Sequence, residues 1–185
     1  MKLITPRLIL RDWQVSDKKD LIENINDIEV SKWLIIVPHP YTESSADLWI
    51  NHCGEQKGKQ ILEKTSHSFA IQLKDGSTIG GINIDYVDHV QGRGMIGYWL
   101  GIKYHKQGYG SEALGKIIDF AFNVLKLRRL EAGVLVGNTS SGKLLEKFGF
   151  KKEGIKRKAC IYKADGKIKD EYIYGLLSEE YGGEK

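Results

Sequence analysis

Between Ile96 and Leu125 the pattern of apolar and polar positions changes its period. Ile96, Tyr98, Leu100 and Ile102 alternate with Gly97, Trp99 and Gly101, which predicts a strand with one crowded and one bare face. Leu114, Ile117, Ile118, Ala121, Phe122 and Leu125 then recur at helical spacing and predict a helix of about four turns with one face on a core. A short polar loop carrying Gly108 and Gly110 joins the two.

The flanking chain divides in the same way. Leu3 to Trp13 alternates and predicts a first strand, with Arg7 and Arg11 on its exposed side. Ser16 or Asp17 is placed to cap a helix through Leu21, Ile22 and Ile25, and Ile28 to Trp33 reads as another short helix. Leu34 to Tyr41 is apolar but holds Pro38 and Pro40, so it predicts a loop folded back onto the core. Thr42 starts a long helix bearing Ala46, Trp49, Ile50 and Cys53, expected to end near Lys64. Ser68 to Lys74 and Thr78 to Tyr86 predict a hairpin turning at Asp75-Gly76. Val87 to Gly94 then connects to the Ile96 strand. Leu130 to Val136 predicts a buried strand and Ser140 to Phe148 a small helix, with Gly149 placed for a left-handed cap. Ile155 to Lys163 and Ile168 to Leu177 flank a second turn at Asp165-Gly166. The predicted fold class is α/β with a mixed sheet, in the order β-α-α-β-β-β-α-β-α-β-β, as one domain over residues 1–185.

Composition narrows the function classes. With 185 residues, 41% of them hydrophobic, the chain is long enough for one full core. No apolar run approaches the length of a membrane span, and the start MKLITPRLIL lacks a signal peptide's long apolar stretch, so a cytoplasmic protein is expected. Cys53 and Cys160 form no redox or metal motif, and the five histidines fall singly, so no metal site is expected. A net charge of +4 is mild; Arg128-Arg129, Lys151-Lys152 and Lys156-Arg157-Lys158 read as solvated faces, and neither nucleic acid nor membrane is an expected partner.

The strand–glycine loop–helix order suits an anion. The first N–H groups of a helix lack partners, that end is partly positive, and Gly108 and Gly110 leave the backbone bare. A nucleoside-triphosphate loop would need a lysine after Gly110, where Ser111 and Glu112 stand. Gly108, Gly110 and Ala113 formally match a dinucleotide fingerprint, but the loop follows a β-hairpin rather than a first parallel strand, and the nearest acidic residue, Glu131, begins its strand.

The window His105-Lys106-Gln107-Gly108-Tyr109-Gly110 resembles the pyrophosphate loop of the GNAT superfamily of acyl-CoA-dependent N-acetyltransferases, with His105 where Gln or Arg is usual. Thr5 to Arg11, Ile96 to Leu100, Gly108 to Ala113, Asn138 to Ser141 and Lys147 to Phe150 resemble its ribosomal-protein N-terminal acetyltransferase branch (RimJ/RimL), in that branch's order. The resemblance implies acetyl-CoA as cosubstrate. It would be held by the strand end at Leu100, Gly101 and Ile102, by the N–H groups of Gln107, Gly108, Tyr109, Gly110 and Ser111, and by Asn138, Ser141 and Lys147. Ser111 equally suits an ordinary helix start, and Asn138 a helix cap.

The resemblance further implies a backbone N–H near Leu100 as oxyanion donor and Ser141 as proton donor to the leaving thiolate, since Leu145 stands where many relatives have a tyrosine. The general base stays open among Asp85, His89, Asp170 and Glu171, with Cys160 where some relatives carry an acid. Trp33 to Tyr41 and the Asp165-Gly166 hairpin would line the acceptor groove. The implied acceptor is a protein N-terminus or a small amine, and a homodimer is implied by resemblance alone. A non-catalytic acyl-CoA sensor and a dinucleotide oxidoreductase are the competing classes.

Overall fold

The structure is a computed structural model and describes residues 1–55 and 59–182. Eight strands form one sheet in the order β1-β2-β3-β4-β5-β6-β8-β7. They are β1 (Lys2–Ile4), β2 (Leu8–Asp12), β3 (His67–Leu73), β4 (Thr78–Asp88), β5 (Arg93–Leu100), β6 (Arg129–Leu135), β7 (Lys151–Ile161) and β8 (Ile168–Leu177). The predicted α/β mixed sheet is thus observed. All neighbours are antiparallel except β5 and β6, which run parallel.

Two layers of helix cover the sheet. Helices α4 (Tyr109–Asp119) and α5 (Thr139–Lys147) pack on the face that carries Ile82, Ile84, Ile96, Leu130 and Leu176. Helices α1 (Lys18–Ile25), α2 (Ile28–Ser31) and α3 (Glu43–Gly54) pack on the other face around Trp13, Ala70 and Trp99. The predicted four-turn helix runs through α4 and ends in a π-helical turn over Phe120–Val124, whose wider pitch keeps Phe120, Ala121 and Phe122 buried. Gly76 and Gly166 hold positive φ in the two predicted hairpin turns, and Gly149 does so after α5.

Several expectations are corrected. The first strand is a hairpin, because Pro6 has no N–H for a ladder and the Thr5 N–H closes a turn onto Leu8 O. The helix expected to reach Lys64 ends at Gly54; apolar spacing lapses after Cys53, Ile61–Glu63 is a separate 3-10 turn, and residues 56–58 of that expectation lie outside the described residues. Strands β4 and β5 extend further than expected, leaving His89–Gly92 as the connection. Ile102 leaves the strand and opens a 3-10 turn, Ile102–Tyr104.

Arg11 is not on an exposed side. It is 5% exposed and forms a two-pronged ion pair with Asp17, 2.7 Å on each arm. Asp17 therefore stands at the start of α1 without capping it through its side chain. It also accepts from the Gln14 N–H and the Thr78 hydroxyl, tying β2, α1 and β4 together. Burial alone would push the Asp17 carboxyl up, but the bonds from Arg11, Gln14 and Thr78 outweigh it and hold it below the usual carboxylate value.

Asp17→Asn leaves the Arg11 charge buried with no counter-charge, and is expected to cost about 3–5 kcal/mol in urea unfolding. A depressed carboxyl stabilises the fold above its unfolded value and ceases to as pH falls through the folded one. The gap between wild type and variant should therefore hold between about pH 5 and 7 and narrow below about pH 4.

Candidate active site

Strands β5 and β6 are bonded only at one end, where Arg93, Gly94 and Met95 pair with Arg129, Leu130 and Glu131. Beyond Met95 each strand follows its other neighbour: β5 stays on β4 to the Gly80–Leu100 pair, and β6 stays on β8 to the Leu135–Glu171 pair. The sheet is therefore split by a wedge-shaped gap. Gly101 N–H donates to Ile79 O at 2.9 Å, so Leu100 and Gly80 form a non-hydrogen-bonded pair. In that register the N–H and C=O of Leu100 point away from β4, into the gap. His105 Nε2 lies 2.9 Å from Leu100 O, a contact that needs the Nε2–H tautomer. The Leu100 N–H is left facing the gap.

On the α4–α5 face, the glycine loop stands beside this strand end. Lys106 and Gly108 hold φ of 60° and 84°, turning the chain so that α4 starts at Tyr109. A Cβ on Gly110 would lie 3.4 Å from the Leu144 side chain and 3.7 Å from that of Leu100. Glycine thus keeps the helix start within reach of both neighbours. Gln107 and Gly108 are exposed, Tyr109 and Ser111 are half-buried, and Lys147 extends from the end of α5 to place Nζ 3.4 Å from Ser111 Oγ. A helix N-terminus, a bare loop and a lysine thus converge in one place, a combination that suits an anion.

The β1–β2 turn, which the sequence reading had not connected to this loop, clamps it. Arg7 bonds Gln107 O at 2.9 Å and Glu112 Oε2 at 2.6 Å, and its guanidinium lies 4.6 Å from the Tyr109 ring centroid. Thr5 Oγ1 and the Arg7 N–H both donate to Glu112 Oε1, at 2.6 and 2.7 Å. Arg7 and Glu112 are 105 residues apart, so only the fold joins them.

Asn138 caps α5: its Oδ1 accepts from the Ser141 N–H at 3.2 Å. Ser141 Oγ lies 2.8 Å from the Tyr98 hydroxyl, and Tyr98 projects from β5 onto the same face. Burial first of all pushes the Tyr98 phenol up to about 12, the Ser141 bond lowering it in part, so it is a standing O–H donor at neutral pH. Leu145 is fully buried in the core. The hydroxyl pair of Tyr98 and Ser141 was missed by sequence reasoning, although the strand's alternation had placed Tyr98 on the crowded face.

On the opposite face, pairing places Asn83, Asp85, Gly97 and Trp99 on one side of the gap and Gly133, Leu135 and Glu171 on the other. The expected base candidates separate here. His89 sits in the β4–β5 turn, at the bonded end of the wedge, with Nε2 3.3 Å from Lys64 O. Asp170 Oδ1 accepts from the Lys158 N–H at 2.7 Å and so organises the β7 bulge. Asp85 accepts from Ser66 at 2.6 Å and from Asn83. Glu171 is 7% exposed and accepts from the Tyr162 hydroxyl at 2.9 Å. The α2–α3 loop and the β7–β8 hairpin meet beside it, through Lys163 N–H to Ile35 O at 3.1 Å and Lys169 Nζ to Lys32 O at 3.2 Å.

A split sheet with a helix-start loop on one face is the frame of an acyl-CoA-dependent acetyltransferase. Residues 7–151 match the family model described as an acetyltransferase (GNAT) domain. The chain is 36% identical over 184 residues to "Uncharacterized N-acetyltransferase p20" of Bacillus licheniformis, covering 98% of each. It is 30% identical to "Putative ribosomal N-acetyltransferase YdaF" of Bacillus subtilis, covering 98% of this chain and 97% of that one. The fold superposes with a TM-score of 0.79, at 24% identity, on RimJ of Mycobacterium smegmatis in complex with CoA-disulfide, over 95% of this chain and 84% of that one. The chain belongs to the GNAT acetyltransferase family and is an N-acetyltransferase. Its resemblance to the ribosomal-protein branch is borne out by the second of these relatives.

The Tyr98 phenol should stay protonated to about one unit below its raised value of about 12, and lose its Ser141 partner in Ser141→Ala. Ring-carbon NMR of labelled tyrosine across an alkaline titration checks this. Ionisation of Tyr98 near the ordinary phenol value of about 10 would contradict it.

Proposed function

We propose that the chain moves the acetyl group of acetyl-CoA to the α-amine of a protein N-terminus by direct attack, without a covalent enzyme intermediate. The observation that carries this reading is the β5–β6 gap: it lies beside the glycine loop at one face and near the meeting of the α2–α3 loop and the β7–β8 hairpin at the other. Acetyl-CoA, when bound, supplies an activated thioester. The N–H groups of Gln107 to Ser111, with Lys147 and Ser111 Oγ, suit its pyrophosphate. The unpaired edge of β5 up to Leu100 suits the amides of its pantetheine arm, in the manner of an added strand. Both backbone groups of Gly101 are already taken, by Ile79 O and the Tyr104 N–H. Ile102, exposed just past that edge, and Asn138 would flank the arm.

The Leu100 N–H is aimed where a tetrahedral oxyanion would form, a contribution of about 3–4 kcal/mol where such donors have been removed. Ser141 donates its hydroxyl proton to the leaving sulfur, and Tyr98, bonded to Ser141 Oγ, orients that hydroxyl. On the acceptor side, Ile35, Ile36, Ile161 and Ile168 are 38%, 60%, 63% and 58% exposed around the meeting of the α2–α3 loop and the β7–β8 hairpin. An apolar rim of that kind suits the first side chains of a polypeptide. A small polyamine is the second reading, favoured by Asp85 and Glu171 on that same face.

A thermal shift with CoA, acetyl-CoA, NAD and NADP tests the cosubstrate. CoA at a hundred times its dissociation constant should stabilise the fold by about 2.7 kcal/mol, a rise of several degrees, and the dinucleotides should not. Gly110→Asp sets a carboxylate at the phosphate loop and against Leu144, and should weaken CoA binding at least tenfold, or about 1.4 kcal/mol, by calorimetry. Ser141→Ala should lower turnover with CoA affinity retained; unaltered turnover would remove Ser141 from the chemistry. Peptides and polyamines assayed side by side distinguish the two acceptor readings.

A further inference from the structure

Glu171 is a buried carboxylate on the sheet face opposite the glycine loop. Its neighbours supply hydroxyl and thiol rather than cation: Tyr162 O–H donates to Oε1 at 2.9 Å, and Cys160 Sγ lies 3.9 Å from Oε2. The charged groups around it come from both strands of the hairpin. Lys156 is its cross-strand partner, Lys169 Nζ lies 4.7 Å from the Tyr162 ring centroid and pairs with Asp165, and Asp170 is engaged by the β7 backbone. An anionic side chain held this way keeps lone pairs for a further donor.

The gap gives it an outlet. Gly133 of β6 lies against the Glu171 carboxylate, and a Cβ there would sit 3.5 Å from both oxygens. Gly97 of β5 faces the same way across the split. The two glycines let Asn83 and the Glu171 carboxylate lie close over the strands on either side of the gap, with Ser141 and Tyr98 on the far side of the sheet. Cys160, whose cross-strand partner is Lys169, reaches Glu171 through the β7 bulge, so the carboxylate at this point of the sheet comes from β8.

Resting on the acetyl-transfer reading above, we infer that Glu171 is the catalytic base that takes protons from the acceptor amine, with Tyr162 as the residue that positions it. An acceptor ammonium gives one proton to Glu171, which passes it to solvent. The freed lone pair forms the N–C bond, and the C–S electrons go to sulfur, which takes the Ser141 proton. The second nitrogen proton passes to Glu171 and replaces, through solvent, the one Ser141 gave. One proton is released per acetyl group moved.

The test is Glu171→Gln, assayed with a peptide bearing a free α-amine and with an acyl-hydrazide peptide that is already neutral. For the ammonium acceptor, kcat/KM should fall about a hundredfold near neutral pH. The deficit should shrink as pH rises and solvent deprotonates the amine, be much smaller for the hydrazide, and leave calorimetric CoA affinity unchanged. Tyr162→Phe should show a weaker form of the same pattern. Gly133→Ala, whose Cβ fits against the carboxylate at 3.5 Å and partly covers it, should raise acceptor KM with CoA affinity retained; this variant covers the case in which Glu171→Gln misfolds. Wild-type rates in Glu171→Gln, or equal losses for both acceptors at every pH, would overturn the assignment. A wild type that binds acetyl-CoA yet acetylates no amine would overturn the acetyl-transfer reading itself.

Discussion

The parting of β5 from β6 is the constraint on which the rest of the structure depends. Three residue pairs hold the strands together at one end, and each strand then stays with its other neighbour. Two antiparallel blocks, β1 to β5 and β6 to β8, therefore twist about their own ladders and diverge. The cost is a row of backbone groups on β5 with no strand to bond. Unpaired backbone polar groups are expensive to bury, so the gap must be filled by water or by a ligand that carries amides. This one departure from a continuous sheet makes a slot between two strands and leaves the Leu100 N–H facing it.

A gap of this kind needs rigid walls, and the molecule supplies them by long-range polar contacts rather than by more core. The Arg11–Asp17–Thr78 cluster fixes α1 on β2 and β4, and Asn24 of α1 bonds Thr78 O while its Oδ1 lies against Gly101. The strand end that presents Leu100 is thus braced from behind. On the opposite face the Arg7–Glu112 contact joins the β1–β2 turn to the first turn of α4. It closes the loop around Gly108 without placing a side chain in the opening. Both clamps use short, charge-assisted bonds that have directional preference, which apolar packing lacks.

Much of the fold was legible because its signals are local. Asp75-Gly76 and Asp165-Gly166 announce turns through their tolerance of positive φ, and alternation in Ile96 to Leu100 survives as two chemically different faces. The glycine loop was legible for the same reason. What escaped depends on pairs that no local pattern records. Arg11 alternates like a solvent-facing residue, and only Asp17, six positions on, draws it inward. Pro6 divides a continuous alternation into a hairpin. Tyr98 and Ser141 are 43 residues apart, and Cys160 meets Glu171 only through the bulged register of β7 on β8.

That register bears on how acid and base are kept apart. Had the base stood on the α4–α5 face, a carboxylate would lie among the groups that hold a polyanionic cosubstrate, and like charges would oppose each other. In the proposed roles Glu171 lies on the other face, so the sheet itself separates base from acid on either side of the gap. Gly97 and Gly133 then need no positive φ to explain them: a side chain at 97 would press on Asn83 and one at 133 on Glu171. Their bareness makes room for those two polar side chains rather than for a backbone turn. The same division lets the acceptor groove change, through the α2–α3 loop and the β7–β8 hairpin, without disturbing the loop that binds phosphate. A family built on this frame can therefore vary its amine while keeping its acyl donor.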